Sequence, residues 1–280
     1  MTMDLQHLRA WIGKEETLED VVTPLPMVGL SATLDRNDPP PRAGDPLPPL
    51  WRWLYFLEFT RASGLGEDGH TARGRFLPPV PLPRRMWAGS RFEFTQPLHV
   101  GERIRRTSVV ADVSVKDGRT GPLVFVLVKH AISGEGGLAI SEEHDIVYRE
   151  AAAPGEQPPL SRLAPADATW RRDIVPTPVL LFRYSALSFN AHRIHFDQPY
   201  AVEHGYPGLL VHGPLLATLL MDLLRRSSAA AVKSFRFRAL RPIFDTAPCA
   251  VCGRPGDGGK IALWAQDAQG HLCMDAEVQT

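Results

Sequence analysis

Two stretches of this 280-residue chain punctuate their β-rich segments with the same residues in the same order. Pro97 and the pair Asp117-Gly118 in the first recur as Pro242 and Asp257-Gly258 in the second, at offsets of 145 and 140 residues. Asp-Gly between apolar runs is a tight-hairpin signal. Its recurrence after a similar spacer points to an internal duplication of one antiparallel meander.

In the first half, Phe92-Glu93-Phe94 alternates, Val109 to Val115 is β-rich, and Leu123 to Val128 follows the hairpin signal. Gly134-Glu135-Gly136-Gly137 then turns the chain into Leu138-Ala139-Ile140, and Asp145 to Tyr148 closes the meander. The second half runs through Phe235 to Arg238, Pro242-Ile243-Phe244, a strand near Cys249 to Cys252, Ile261 to Trp264 and Leu272 to Val278. Between them, Ala151 to Leu160 and Ala164-Pro165 have the composition of an extended linker. The chain therefore divides into 1–153, a linker at 154–166, and 167–280. The halves differ in one respect. Pro214 to Leu224 is apolar nearly all round and reads as a buried helix with proline in its first turn. The comparable stretch of the first half, Phe76 to Pro83, carries four prolines, which forbid a long helix interior.

The formal charge is zero and the sequence pI about 7.2, so no bulk field recruits nucleic acid or an anionic membrane. The first residues lack the basic start and apolar run of a signal peptide, and no apolar run approaches spanning length. A cytoplasmic protein is expected. Cys249, Cys252 and Cys273 do not suggest a disulfide framework. Cys249-Ala-Val-Cys252 has the spacing of a zinc half-site, but no second pair follows, so buried thiols in strands are expected.

The chemistry concentrates in Phe189-Asn190-Ala191-His192-Arg193-Ile194-His195-Phe196-Asp197 and in Pro207-Gly208-Leu209-Leu210-Val211-His212-Gly213-Pro214. His195 can act as both base and acid, because an unperturbed imidazole titrates near neutrality. Asn190 has no basic group and can only orient a water through its amide. Gly213 sits where the apolar helix begins, with unpaired N–H groups and the positive end of the helix dipole. His192 and His195, three residues apart, imitate a metal pair, yet no carboxylate or third histidine stands at convincing spacing, and no metal is expected. Arg193 and Asp197 are expected to pair with each other or with neighbours, and His70 reads as a loop residue.

This pattern resembles the active-site motif of the MaoC-like hydratases, Asp-x-Asn-Pro-aliphatic-His ahead of an apolar helix. Asn190 stands at the Asp position, His192 and Arg193 at Asn-Pro, and His195 matches the His. The variant is similar to the hydroxyacyl-thioester dehydratase type 2 branch and its itaconyl-CoA and mesaconyl-CoA hydratases. Asp68-Gly69-His70, Phe76-Leu77-Pro78-Pro79 and Leu82 to Gly89 resemble that branch's N-terminal half. The resemblance implies an α+β double hot-dog fold with a degenerate, pocket-shaping N-terminal half and a catalytic C-terminal half. It also implies a hydro-lyase of itaconate degradation that adds water to a short unsaturated acyl-CoA to give citramalyl-CoA. The enzyme would be a homodimer whose only partner is that substrate, without a cofactor. Catalysis is expected from Asn190, His195 and Gly213, whose backbone N–H would bind the thioester oxygen. Arg84 and Arg85 are candidates for holding a second carboxylate, Trp87 and His212 for lining the pocket, and Arg236, Arg238 and Arg241 for meeting the phosphates of CoA. The alternatives are a dehydratase of 3-hydroxyacyl thioesters on acyl carrier protein or CoA, a thioesterase, or a non-catalytic acyl-CoA binder. Asn190 disfavours a thioesterase, which needs a nucleophile or water-activating carboxylate. A binder would tolerate loss of His195.

Overall fold

Asp257-Gly258 lies in the turn of an antiparallel hairpin, and Asp117-Gly118 ends a strand that pairs antiparallel with the next. The structure, a computed structural model, describes residues 4–118, 121–150 and 162–280. Its strands are β1 (Glu15–Val21), β2 (Arg84–Phe94), β3 (Arg103–Gly118), β4 (Gly121–Gly134), β5 (Gly137–Arg149), β6 (Trp170–Ile174), β7 (Ser234–Ala239), β8 (Cys249–Pro255), β9 (Lys260–Gln266) and β10 (Leu272–Gln279). The α-helices are α1 (Leu5–Arg9), α2 (Pro24–Thr33), α3 (Pro178–Leu187), α4 (Gln198–Glu203) and α5 (Gly213–Ser227). In the β8–β9 turn, Gly258 and Gly259 have φ of 63° and 77°, which side chains rarely adopt.

All ten strands form one sheet in the order β1-β3-β4-β5-β2-β7-β10-β9-β8-β6. Reading outward from the middle, β2-β5-β4-β3-β1 mirrors β7-β10-β9-β8-β6, as a duplicated meander requires. The sheets expected for the two halves thus run together, joined by β2 and β7 with Gly89 opposite Arg238 and Glu93 opposite Ser234. Glycine is needed at this seam, because a Cβ on Gly89 would come within 2.4 Å of the Phe237 carbonyl oxygen. The sheet pairs Leu138–Ile140 and Asp145–Tyr148 within a single strand, β5. Pro242–Phe244 is not a strand. The proline removes a ladder donor, and Phe244 makes only an isolated bridge to Leu210. Of the linker expected at 154–166, residues 154–161 lie outside the described residues.

The helix expected from Pro214 onward is α5, and Leu215 to Leu224 are all buried against the second half's strands. In the first half the prolines hold residues 76–83 out of helix, and Val80 and Leu82 pack instead on Val110, Val113, Val124, Val126 and Val128. One charged residue is buried within the apolar stretch of α5. Asp222 is 1% exposed and accepts from Arg36 Nη1 at 2.7 Å, Arg172 Nη1 at 2.6 Å and Arg226 Nε at 2.8 Å. Arg36 follows α2 and Arg172 lies in β6, so this carboxylate ties both halves to the central helix. Cys249, Cys252 and Cys273 are free buried thiols in β8 and β10, as expected. Among the described residues no helix is long and apolar enough to cross a membrane.

Candidate active site

The motif's geometry begins with a helix end. Thr177 caps α3, its hydroxyl accepting from the Leu180 N–H at 3.2 Å, and the chain leaves α3 through Phe189, whose φ is 49°. Asn190 is then fixed twice: its N–H donates to the Ser185 carbonyl at 2.8 Å, and its Oδ1 accepts from the His192 N–H at 3.0 Å. This local turn is a habit of asparagine side chains, and it leaves the Nδ2 donors for a ligand. A single 3-10 turn follows over Arg193–His195. Arg193 pairs with Asp197 at 2.7 Å, and Asp197 caps α4 by accepting from the Tyr200 N–H. Both residues therefore have the structural roles expected of them.

His195 is 7% exposed, and its Nδ1 lies 2.7 Å from the Leu210 carbonyl oxygen. That oxygen can only accept, so the proton is assigned to Nδ1 and the lone pair to Nε2. Burial penalises the imidazolium and pushes the pKa down to about 4. At neutral pH the ring is thus a neutral base held in one tautomer. His212 stacks behind it at 3.7 Å between ring centroids. This residue was expected in the substrate pocket but is fully buried, with Nε2 at 2.8 Å from the Ser185 hydroxyl and no partner on Nδ1. Burial drives its pKa far down as well. His212 thus stacks on His195 from the buried side.

The next residue, Gly213, is the first of α5. Its N–H has no acceptor among the described residues, as expected for a helix start. A Cβ built there would meet nothing within 4 Å. An unpaired donor thus sits at the positive end of a 15-residue helix beside open space.

The N-terminal half supplies what spacing could not reveal. The loop 66–71 docks on the motif: the Arg193 N–H donates to the Asp68 carbonyl at 3.0 Å. At Gly69, with φ of 85°, a Cβ would approach the Ala191 carbonyl oxygen to 1.9 Å. The docking lays His70 on His192 at 4.1 Å between centroids, and His192 meets His195 edge-on at 5.4 Å. Asp68 accepts from the His70 N–H at 3.0 Å and faces its Nδ1 at 3.3 Å. Its carboxyl is held well below the usual range by these contacts. Burial lowers His70, and lowers His192 to about 2. His70 is therefore more than a loop residue. Asp68, His70 and His192 bring one potential ligand atom each within 4.8 Å of one another, a cluster that residue spacing did not predict. The sequence signal for it was Asp-Gly-His itself, a glycine allowing the turn between two side chains that can pair.

A cavity of about 430 Å³ opens here, lined by Asp68, His70, Arg73, Arg85 and Tyr200 among others. Arg73 is consumed by the carbonyls of Val80, Leu82 and Pro83. Arg85 faces the cavity from β2. Arg84, its neighbour, does not line it: it stacks over Tyr206 at 5.1 Å and donates to the His204 carbonyl. Strand alternation separates the two arginines. Trp87 packs edge-on against Trp53 and Phe237, its Nε1 donating to Gly89 and Ser90 at the seam. Arg236 and Arg238 point away from the imidazoles, because Phe235 and Phe237 take the inner face of β7. Arg236 pairs there with Glu277 at 3.1 Å. Arg241, past the end of β7, pairs with Asp267 at 3.3 Å.

A family model for hydroxyacyl-thioester dehydratase type 2 matches residues 50–245. The chain is 48% identical over 271 residues to the mesaconyl-C(4)-CoA hydratase of Chloroflexus aurantiacus, an alignment that covers 96% of each protein. Among solved structures, a MaoC-like dehydratase from Phytophthora capsici superposes with a TM-score of 0.65 at 16% identity, over 99% of this chain and 98% of that one. A Mycobacterium tuberculosis protein with a double hot-dog fold gives a TM-score of 0.60 at 12% identity, covering 95% of both. The fold is the double hot dog.

Proposed function

The chain belongs to the hydroxyacyl-thioester dehydratase type 2 family, and on that premise we propose that it is a hydro-lyase adding water to a short, unsaturated, dicarboxylic acyl-CoA of the mesaconyl type, to give a citramalyl-CoA. The observation that carries this reading is His195: a buried neutral imidazole with Nδ1 committed to Leu210 and Nε2 left to act, next to the helix start at Gly213. The 48% identity to a mesaconyl-C(4)-CoA hydratase supports the substrate class, and itaconyl-CoA is the second candidate.

In this mechanism Asn190 Nδ2 holds the water while its Oδ1 keeps the turn to His192 closed. His195 Nε2 takes a proton from the water as its oxygen bonds to the β-carbon. The electron pair of the double bond shifts toward the thioester carbonyl, whose oxygen becomes negative. The Gly213 N–H and the α5 dipole stabilise that charge where it develops. The enolate then recovers the proton from His195 at the α-carbon, which resets the imidazole. No redox change occurs, so water and the acyl-CoA suffice and no cofactor is required. The reverse reaction is a dehydration of a 3-hydroxyacyl thioester, the activity in the family's description. The same reading makes the enzyme a cytoplasmic homodimer in the breakdown of itaconate-type acids, its N-terminal half shaping the pocket of the catalytic C-terminal half.

The test is hydration of mesaconyl-C(4)-CoA, followed by loss of the conjugated thioester absorbance. His195→Ala is expected to lower turnover by roughly 10²- to 10⁴-fold with unchanged circular dichroism. Near-normal hydration by that variant refutes the mechanism.

A further inference from the structure

Arg85 is a cation in the cleft without a carboxylate partner. Among the described residues no acid lies within ion-pair distance of its guanidinium. The nearby Asp68 is engaged by His70 through both of its oxygens. Arg85 donates instead to the hydroxyl of Tyr148, opposite it on β5. The charge is felt across the site: it contributes to the lowering of His70, His144 and His192. A guanidinium kept among neutral imidazoles, in a partly buried cavity, is a site prepared for an anion.

We propose that Arg85, with the neutral imidazoles of His70 and His192 beside it, is the receptor for the second carboxylate of the substrate. The inference rests on the hydratase reading and assigns specificity to one residue of the non-catalytic half. In a mesaconyl-type thioester the free carboxylate is attached to the carbon that water attacks. Its receptor must therefore adjoin the water-activating imidazole, and the sequence His195, His192, His70 does so with ring spacings of 5.4 Å and 4.1 Å. The loop carrying His70 and the strand carrying Arg85 both come from the first half, so the docking at Gly69 places the anion site against the catalytic base. Arg84, directed to Tyr206 and His204, has no part in it.

Equilibrium binding of succinyl-CoA and butyryl-CoA tests this without any turnover. Both are saturated, both carry CoA, and they differ in a carboxylate against a methyl group at the end of similar chains. Wild type is expected to bind succinyl-CoA about 10- to 100-fold more tightly, the value of charge-assisted hydrogen bonds to one carboxylate. Arg85→Met should abolish that preference, Arg85→Lys should retain part of it because the charge stays while the fork is lost, and Arg84→Met should leave it intact. Retention by Arg85→Lys together with an unchanged melting temperature separates loss of recognition from loss of fold. Equal affinity of wild type for both ligands overturns the proposal, and so does a preference that survives in Arg85→Met or disappears in Arg84→Met. If wild type prefers succinyl-CoA but hydrates no unsaturated thioester, the hydratase reading fails while the carboxylate receptor stands.

Discussion

Acidification is the sharpest probe of His195. Only the neutral ring offers a lone pair at Nε2, and burial has moved its pKa down to about 4. An ordinary imidazole titrating near 6.5 would be about one-tenth neutral at pH 5.5, whereas a group titrating near 4 stays almost wholly neutral there. The profile of kcat/KM for mesaconyl-C(4)-CoA is therefore expected to be flat from neutrality to about pH 5 and to fall below it with unit slope, since a single imidazole moves the proton. Stability follows a related course. The unfolded chain takes up a proton at His195 as pH falls below about 6.5, but the folded chain does not until about 4, so the native state loses roughly 3 kcal/mol across that window. His144, lowered to about 3, and His192, lowered to about 2, act in the same direction. Each rate is accordingly taken from brief exposures, with circular dichroism at the same pH and recovery of activity on return to pH 7. A midpoint near 6.5 in folded protein, or a limb of slope two, refutes the assignment of a single buried base.

Asn190→Asp keeps the oxygen that accepts from His192 and should retain substantial activity, while Asn190→Leu loses both the turn and the water's partner and should lose it; full activity in the leucine variant removes Asn190 from the mechanism. Gly213→Val adds a branched side chain in the open space at the start of α5, so turnover should fall by roughly 10-fold or more for a displaced oxyanion while the melting temperature stays close to wild type. Equal activity would put the thioester elsewhere. Asp222→Asn leaves three guanidinium groups around a neutral amide and should cost about 3 kcal/mol or more, read as a lower denaturant midpoint; a midpoint within error of wild type would show that this carboxylate does not hold the halves together.

The sequence determined the repeated meander and its hairpins, because Asp-Gly turns and period-two apolar runs are local signals that act over a few residues. It determined α5, where an apolar run with one proline in its first turn has no alternative but burial, and it marked Asn190, His195 and Gly213 within 24 residues of one another. It did not reveal β1, α2, β6 or α3, whose short segments lack a distinctive period and take their form from the sheet edge and from each other. Nor did it separate Arg84 from Arg85 or turn Arg236 and Arg238 outward, since that depends on which face of a strand the core occupies. Above all, Asp68 and His70 stand more than 120 residues before His192 in the chain. Only the closing of the two halves, with Gly69 pressed on Ala191, brings them to it. Local sequence marked the His195 imidazole and the helix start at Gly213; the cation and imidazoles around them are a product of tertiary docking, because no spacing rule connects residues that meet only across a folded interface.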